Sequence, residues 1–296
     1  MAQPLLKMLS MKRKCPVCHS HSDLHVRNGF FYRESGRVRV QRYRCTQCAK
    51  EFSDATFQLR YRQRLRRING LVERELISGS SLRRTALILK INVKTVVRRL
   101  RFLAHKARKE QVRRMQLLSD IQEVQFDDME TFEHSKMKPL AITIAVWKNK
   151  RWILGCEVSQ MPAKGLLAKR ARKKYGPRLD DRKKGRERLF KKIQPALGES
   201  VVFETDEHPH YGKHLKERFP KSLHVQYKGR RGCVVGQGEL KAGGFDPLFS
   251  LNHTCAMLRY SISRLVRRTW VTTKRPDRLQ DHIDIYVNFH NRVLVS

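Results

Sequence analysis

The chain has 296 residues and is 40% hydrophobic, enough for two or three packed domains and too apolar for a disordered basic tail. Its 64 Lys and Arg outweigh 27 Asp and Glu to give +37, divided as +21 over residues 1–120 and +16 over 121–296. That charge calls for a polyanion, nucleic acid first because neutralised phosphates release counterions, with lipid surfaces sharing the bias. Apolar runs fall well short of the ~20 residues that span a bilayer, which argues against a membrane partner and for a cytoplasmic setting.

Residues 12–58 are rich in Cys, Arg and aromatics, with alternating runs such as RVRVQRYRC that read as strands. Cys15-Pro-Val-Cys18 and Cys45-Thr-Gln-Cys48 form two C-x2-C pairs with 26 residues between them. Two residues inside each pair let a tight knuckle aim both thiolates at one ion, and two knuckles complete a tetrahedral S4 zinc site. The expected unit is a zinc ribbon carrying structural Zn2+. A redox dithiol would need a βαβ context that neither pair has. His19, His21 and His25 read as surface or DNA-facing residues, and Cys156, Cys233 and Cys255 as structural thiols.

From Tyr61 the period becomes helical. Residues 60–118 read as an all-α helix-turn-helix domain and linker. The first helix places Leu65, Ile68, Leu71, Val72 and Leu76 near one face and stops at Gly79. Ser80 or Ser81 caps the second helix and Asn92 the third. The third displays Lys94, Arg98, Arg99 and Arg101, with Val93, Val96, Val97, Leu100 and Leu103 for packing, the division of labour a recognition helix needs. KARKEQVRRMQ continues as a charged linker to about Ser119.

Residues 120–296 open with three strands, EVQFDDMETF, LAITIAVW and RWILGCEV. A very basic helical stretch follows from Lys164 to Leu197, without an apolar face along its full length, and reads as a track for DNA backbone. SVVFETD is a fourth strand, YGKHLKERF a helix and SLHVQY a fifth strand. A loop with six glycines precedes two closing helices, Leu251 to about Arg268 and Pro276 to about Arg292. Asp127 and Asp206 each end an apolar strand. Aspartates on neighbouring strands can bind divalent ions that activate water and then a 3′-hydroxyl on a phosphodiester. His208 and Tyr211 read as capping and packing the helix that follows.

FDDMETFEHSK and VVFETDEHPHY resemble the first and second acid segments of insertion-sequence transposases, in the zinc-ribbon group typified by insertion sequence one and its relatives. The segment from Leu251 to Asn291 is similar to their C-terminal helices. The resemblance implies an α/β catalytic domain with an RNase H-like mixed sheet. It also implies Mg2+ or Mn2+ at Asp127 and Asp206, and double-stranded DNA partners: inverted-repeat transposon ends and a target, bound by a homo-oligomer at the nucleoid. Asn252 stands where the family's third acid stands, with Arg259 seven residues on. Asn is a weaker ligand for a hard cation, so two alternatives stay open: Glu239, 33 residues after Asp206, or an inactive site. Beside the transposase stand a non-catalytic zinc-dependent DNA-binding regulator and an RNase H-like nuclease.

Overall fold

The computed structural model describes residues 14–33, 38–61, 63–228, 246–266 and 271–295. Glu239, Cys233 and most of the glycine-rich loop lie outside the described residues. The chain divides into two compact units, residues 1–66 and 67–296.

The first unit is a three-stranded antiparallel sheet of β1 (His25–Arg33), β2 (Val38–Cys45) and β3 (Glu51–Ser53). Its buried cluster is small: Cys15, Cys45 and Phe52, with Cys18 and Tyr43 packed on it.

The second unit begins with α1 (Asn69–Ile77), α2 (Leu82–Ile88) and α3 (Val93–Met115). The Ser81 side chain accepts from Arg84 N at 3.2 Å and that of Asn92 from Lys94 N at 2.8 Å, so each closes an otherwise open first turn. α1 ends before Gly79, whose φ of +78° is the left-handed turn that glycine takes without strain. Ile68, Val72 and Leu76 are buried with Val96, Leu100 and Leu103, whereas Leu65 and Leu71 face out, so the expected stripe on the first helix is narrower than read. The charged segment after Lys106 is not a loose linker. It continues α3 through Met115, because Leu103, Ala104, Ala107 and Met115 sustain a buried face.

The five-stranded mixed sheet comprises β4 (Ile121–Phe132), β5 (Pro139–Trp147), β6 (Trp152–Gln160), β7 (Leu197–Asp206) and β8 (Leu223–Tyr227), in the order β6-β5-β4-β7-β8. The first three strands run antiparallel; β4–β7 and β7–β8 are parallel. α4 (Leu167–Tyr175), α5 (Arg182–Ile193) and α6 (Tyr211–Arg218) lie in the β6–β8 connections, and α7 (Phe249–Ser261) and α8 (Pro276–Phe289) close the chain. Strand parity separates two cores. Val124 and Phe126 pack with Leu189, Phe190, Ile193, Phe203 and Leu215, while Met129 packs with Leu251, Leu258, Ile283 and Tyr286. The basic stretch therefore does contribute to the core: α5 buries Leu189, Phe190 and Ile193 although α4 buries only Ala171. Gly185 brings α5 close to β6, since a Cβ there would lie 1.9 Å from Ser159 Oγ.

The open edge of β6 is closed by side-chain amides, which removes a template for strand addition. Gln111 of α3 donates to Ile153 O and Leu154 O, Gln280 of α8 donates to Cys156 O, and Asn291 both donates to Ile153 O and accepts from Ile153 N. α8 also carries Ile285 into the α1–α3 cluster and His282, whose Nε2 lies 2.8 Å from Leu76 O. Burial pushes the His282 pKa down to about 4. The unfolded chain takes up this proton near pH 6.5 and the fold resists it until about 4, so stability is full above 6.5 and falls as pH drops through that window. The loss should approach about 3 kcal/mol. Urea unfolding at pH 7.5 and pH 4.5 should show it in the wild type and a smaller drop in His282→Gln; equal drops would contradict the assignment.

Candidate metal centres and acid pair

Two knuckles of the same design build the cysteine cluster. Cys15 and Cys45 each donate a backbone N–H across their own turn, to Ser20 O and Lys50 O, both at 3.0 Å. The residue after each pair, His19 and Ala49, turns the chain at φ of 58° and 57°. The four sulfurs lie within 4.8 Å of one another and can hold a metal ion. Cys15 Sγ is 3.5 Å from Cys48 Sγ, and Cys18 Sγ is 3.6 Å from Cys45 Sγ. Sulfurs about 2.3 Å from a tetrahedral zinc stand about 3.8 Å apart, so the set fits that ion nearly unchanged. Ser20 Oγ lies 3.1 Å from Cys45 Sγ and, as the largest influence, holds that thiol down to about 6. His25 is half-buried behind the cluster, edge-on to Phe52 and 3.3 Å from Ser20 Oγ, not on the surface as its sequence neighbourhood suggested.

The acid pair comes from strand register. β4 and β7 are parallel with Gln125 opposite Glu204. Two residues further along, on the same face by parity, come Asp127 and Asp206. The Asp127 pKa is pushed up to about 6, first by burial and then by the charge of Asp206. Its Oδ1 accepts from Asp128 N at 2.6 Å and from the Tyr211 hydroxyl at 3.1 Å. Asp206 Oδ1 accepts from His208 N at 3.2 Å. Among the described residues no Lys or Arg forms an ion pair with either carboxylate. Asp128 is different. It points to the opposite face, where it pairs with the buried Arg186 of α5 and accepts from Thr143. Arg186 in turn donates to His214 Nδ1 at 3.0 Å. Of two adjacent aspartates, one is neutralised by the fold and one is not.

Arg186→Met should leave Asp128 buried and unpaired and cost about 3–5 kcal/mol. Adding Asp128→Asn should recover part of that loss in thermal or urea unfolding. A single-variant cost under about 1 kcal/mol would show the pair contributes nothing.

One layer behind the acid pair lies a polar network that strand patterning could have revealed, since Gln125 and Glu204 interrupt apolar strands on the face of the aspartates. Gln125 Nε2 donates to Glu204 Oε2 at 2.7 Å and to Pro247 O at 2.8 Å, and its Oε1 accepts from Leu251 N at 3.0 Å. Lys148 Nζ donates to Glu204 and Glu123 at 2.7 and 2.9 Å. These contacts fasten the start of α7 to the centre of the sheet.

Asn252 and Arg259 are exposed on α7. Asn252 Nδ2 donates to Asp246 Oδ2 at 2.8 Å, so the described structure joins Asn252 to Asp246 rather than to the acid pair. Cys255, between them on the helix, feels the charges of both Asp127 and Arg259, after burial, which pushes its thiol up to about 12. Cys156 and Cys255 are both buried in the core. Among the described residues, no third acid, histidine or thiol closes with Asp127 and Asp206 into a cluster like that of the cysteines.

Tyr211 is fully buried with its hydroxyl on Asp127, and His208 stacks on it at 4.6 Å. From the sequence Tyr211 reads as capping and packing its helix; its place five residues after the strand-end Asp206, opening α6, was the available signal for the site. On α3, Lys94, Arg98 and Arg101 are exposed, but Arg99 is only 7% exposed. It falls between Val96 and Leu103 at helical spacing, which turns it toward the inner face and corrects the expectation that all four basic residues are displayed together.

No family model matches the sequence, and no curated protein matches it. A solved structure described as the crystal structure of the Mos1 strand transfer complex is similar at 11% identity. The match covers 77% of this chain and 76% of that one at a TM-score of 0.24, too loose to carry an argument. Among the described residues no helix is long and apolar enough to cross a membrane.

Proposed function

We propose that the protein is a transposase of the insertion-sequence type, which binds transposon ends and cleaves and joins DNA at a divalent-cation centre. The observation that carries this reading is the Asp127–Asp206 pair: two carboxylates side by side, one raised to about 6, with no basic partner among the described residues while Asp128 next door has one. A pair that repels itself in a partly dry site is a cation site in electrostatic terms. The donor set fits Mg2+ or Mn2+, because both groups offer hard oxygen atoms. Such an ion, when bound, supplies Lewis-acid polarisation of a phosphodiester and a more acidic attacking hydroxyl. The chain's own residues hold the centre. Tyr211 and the Asp128 amide fix the Asp127 carboxylate, the His208 amide fixes Asp206, and the Gln125–Glu204 network holds α7. Asn252 would stand as a neutral ligand or hold a water, with Arg259 on the phosphate. The mixed sheet, with both acids on its central strands, supports an RNase H-like core over residues 120–296.

In this reading the four cysteines hold structural Zn2+, and residues 60–118 act as the helix-turn-helix that reads double-stranded ends. Both capped helices and the outward Lys94, Arg98 and Arg101 support that role, with Arg99 packed beneath them. Changing Lys94, Arg98 and Arg101 to Ala should weaken duplex binding by the full chain. Each lost phosphate contact should reduce the salt slope by about 0.9, and each lost base contact should cost about 1–3 kcal/mol of sequence preference. Unchanged affinity and slope in the triple variant would remove α3 from the interface.

The test of the activity is incubation of the full chain with labelled duplex carrying the DNA that flanks the gene on each side, with Mg2+ or Mn2+. A transposase joins the labelled end to a second duplex, a nuclease only cuts it, and a regulator does neither.

A further inference from the structure

The β1–β2 hairpin of the first unit carries a surface that the proposed activity leaves unused. Phe30 and Tyr32 are 43% and 57% exposed, near the end of the hairpin away from the cysteines. They share one face of β1 and meet edge to face at 5.5 Å. Across the hairpin, Arg39 pairs in register with Tyr32 and lays its guanidinium 3.9 Å over the Phe30 ring. The described strands of the hairpin hold Arg27, Arg33, Arg39, Arg42 and Arg44 and no acidic residue. The small metal-site cluster lies at the other end, with Tyr43 and Phe52, so the outer aromatics are not needed to complete it. Aromatic rings left in water beside stacked guanidinium, on strands whose described charges are all positive, match the two halves of a nucleotide: a flat base and a phosphate.

We infer that the outer face of this hairpin, through Phe30, Tyr32 and Arg39, is a stacking platform for single-stranded DNA, distinct from the duplex contacts of α3. A paired base hides both faces in the duplex stack, so exposed rings reward only unpaired bases, while arginine side chains follow the backbone whatever its sequence. The guanidinium over Phe30 offers its outer plane as a further stacking surface. The platform would hold a frayed or displaced strand and needs no catalytic activity. It therefore stands or falls apart from the transposase reading.

The test uses the full chain, loaded with zinc, as wild type and as the Phe30→Ala/Tyr32→Ala variant. Binding to an oligothymidylate of about 20 nucleotides and to a 20-base-pair duplex is measured by fluorescence anisotropy at one salt concentration. Zinc content and light scattering are recorded alongside. The variant should keep its zinc and its oligomeric state, bind duplex within about twofold of wild type, and lose about 10- to 100-fold in affinity for the single strand. Phe30→Trp/Tyr32→Trp should retain single-strand binding and show tryptophan quenching by the oligonucleotide. Equal loss on both DNAs would make the face a general anion surface and overturn the inference. So would unchanged single-strand affinity, whether the variant instead altered self-association, altered binding to anionic phospholipid vesicles, or altered nothing. If the alanine variant lost zinc, the tryptophan variant decides: absent quenching and absent binding with zinc intact would also overturn it.

Discussion

Asp127→Asn and Asp206→Asn should each reduce Mg2+-dependent cleavage and joining by at least about 10³-fold, the several kcal/mol of charge stabilisation that a bound cation contributes to phosphodiester chemistry. Duplex affinity of the same zinc-loaded variants without added Mg2+ or Mn2+ should match wild type, because Lys94, Arg98 and Arg101 lie on a separate helix. A second outcome distinguishes a metal site from a structural acid. With its pKa pushed up to about 6 by burial and by Asp206, the Asp127 carboxyl favours folding in its protonated form. That stabilisation is full below about pH 4 and lost as pH rises through 6, so the cation-free protein bears the cost at pH 7.5. The carboxamide introduced by Asp127→Asn would still accept from the Asp128 amide and the Tyr211 hydroxyl through its own carbonyl oxygen, without the charge. Zinc-loaded Asp127→Asn should therefore unfold at higher urea than wild type at pH 7.5 without added Mg2+ or Mn2+, by up to about 3 kcal/mol, and the advantage should vanish at pH 4. A variant that is both inactive and destabilised would identify Asp127 as a structural acid instead.

Cys45→Ser should have the largest effect on folding. Among its described residues the first unit gathers Cys15, Cys45 and Phe52 into a core cluster, with Val40 and Ala55 also buried, too little apolar surface to order a unit of that size unaided. Metal binding has to supply the difference, and structural zinc contributes about 10–16 kcal/mol in comparable small sites. Losing one thiolate should release the ion and open the unit. Elemental analysis should fall from one zinc per chain to none, and amide exchange over residues 14–61 should lose protection while that over β4, β5 and β7 stays slow. One zinc retained by Cys45→Ser, or none in the wild type, would contradict the site.

Much of this was legible in the sequence because its signals are local. C-x2-C spacing determines a knuckle within four residues, Asn92 and Ser81 cap the helix immediately after them, alternation marks the segment now seen as β2, and β-rich runs mark β4, β5 and β6 without reference to the rest of the fold. What was not legible depends on partners distant in the chain. Nothing in the string FDD says that Asp128 meets an arginine 58 residues later while Asp127 stays clear. Arg99 looks like its neighbours until the 3.6-residue period is applied against Val96 and Leu103. The basic stretch reads as a DNA track without an apolar face because its lysines and arginines mask the spacing of Leu189, Phe190 and Ile193. The segment after Lys106 reads as a linker because its buried positions, Ala107 and Met115, stand far apart among charged residues. Asn252 matches a family pattern only by position, and the described structure gives it Asp246 as a partner, a contact between residues six apart across a helix start.

The most direct test of the acid pair as a cation centre is a titration of the zinc-loaded full chain with Mn2+, read as the loss of the free-ion electron paramagnetic resonance signal. Wild type is expected to take up Mn2+ at a saturable site that Mg2+ displaces, with Asp127→Asn and Asp206→Asn each abolishing that uptake and Asp128→Asn preserving it. Equal Mn2+ uptake by wild type and both variants would contradict the account.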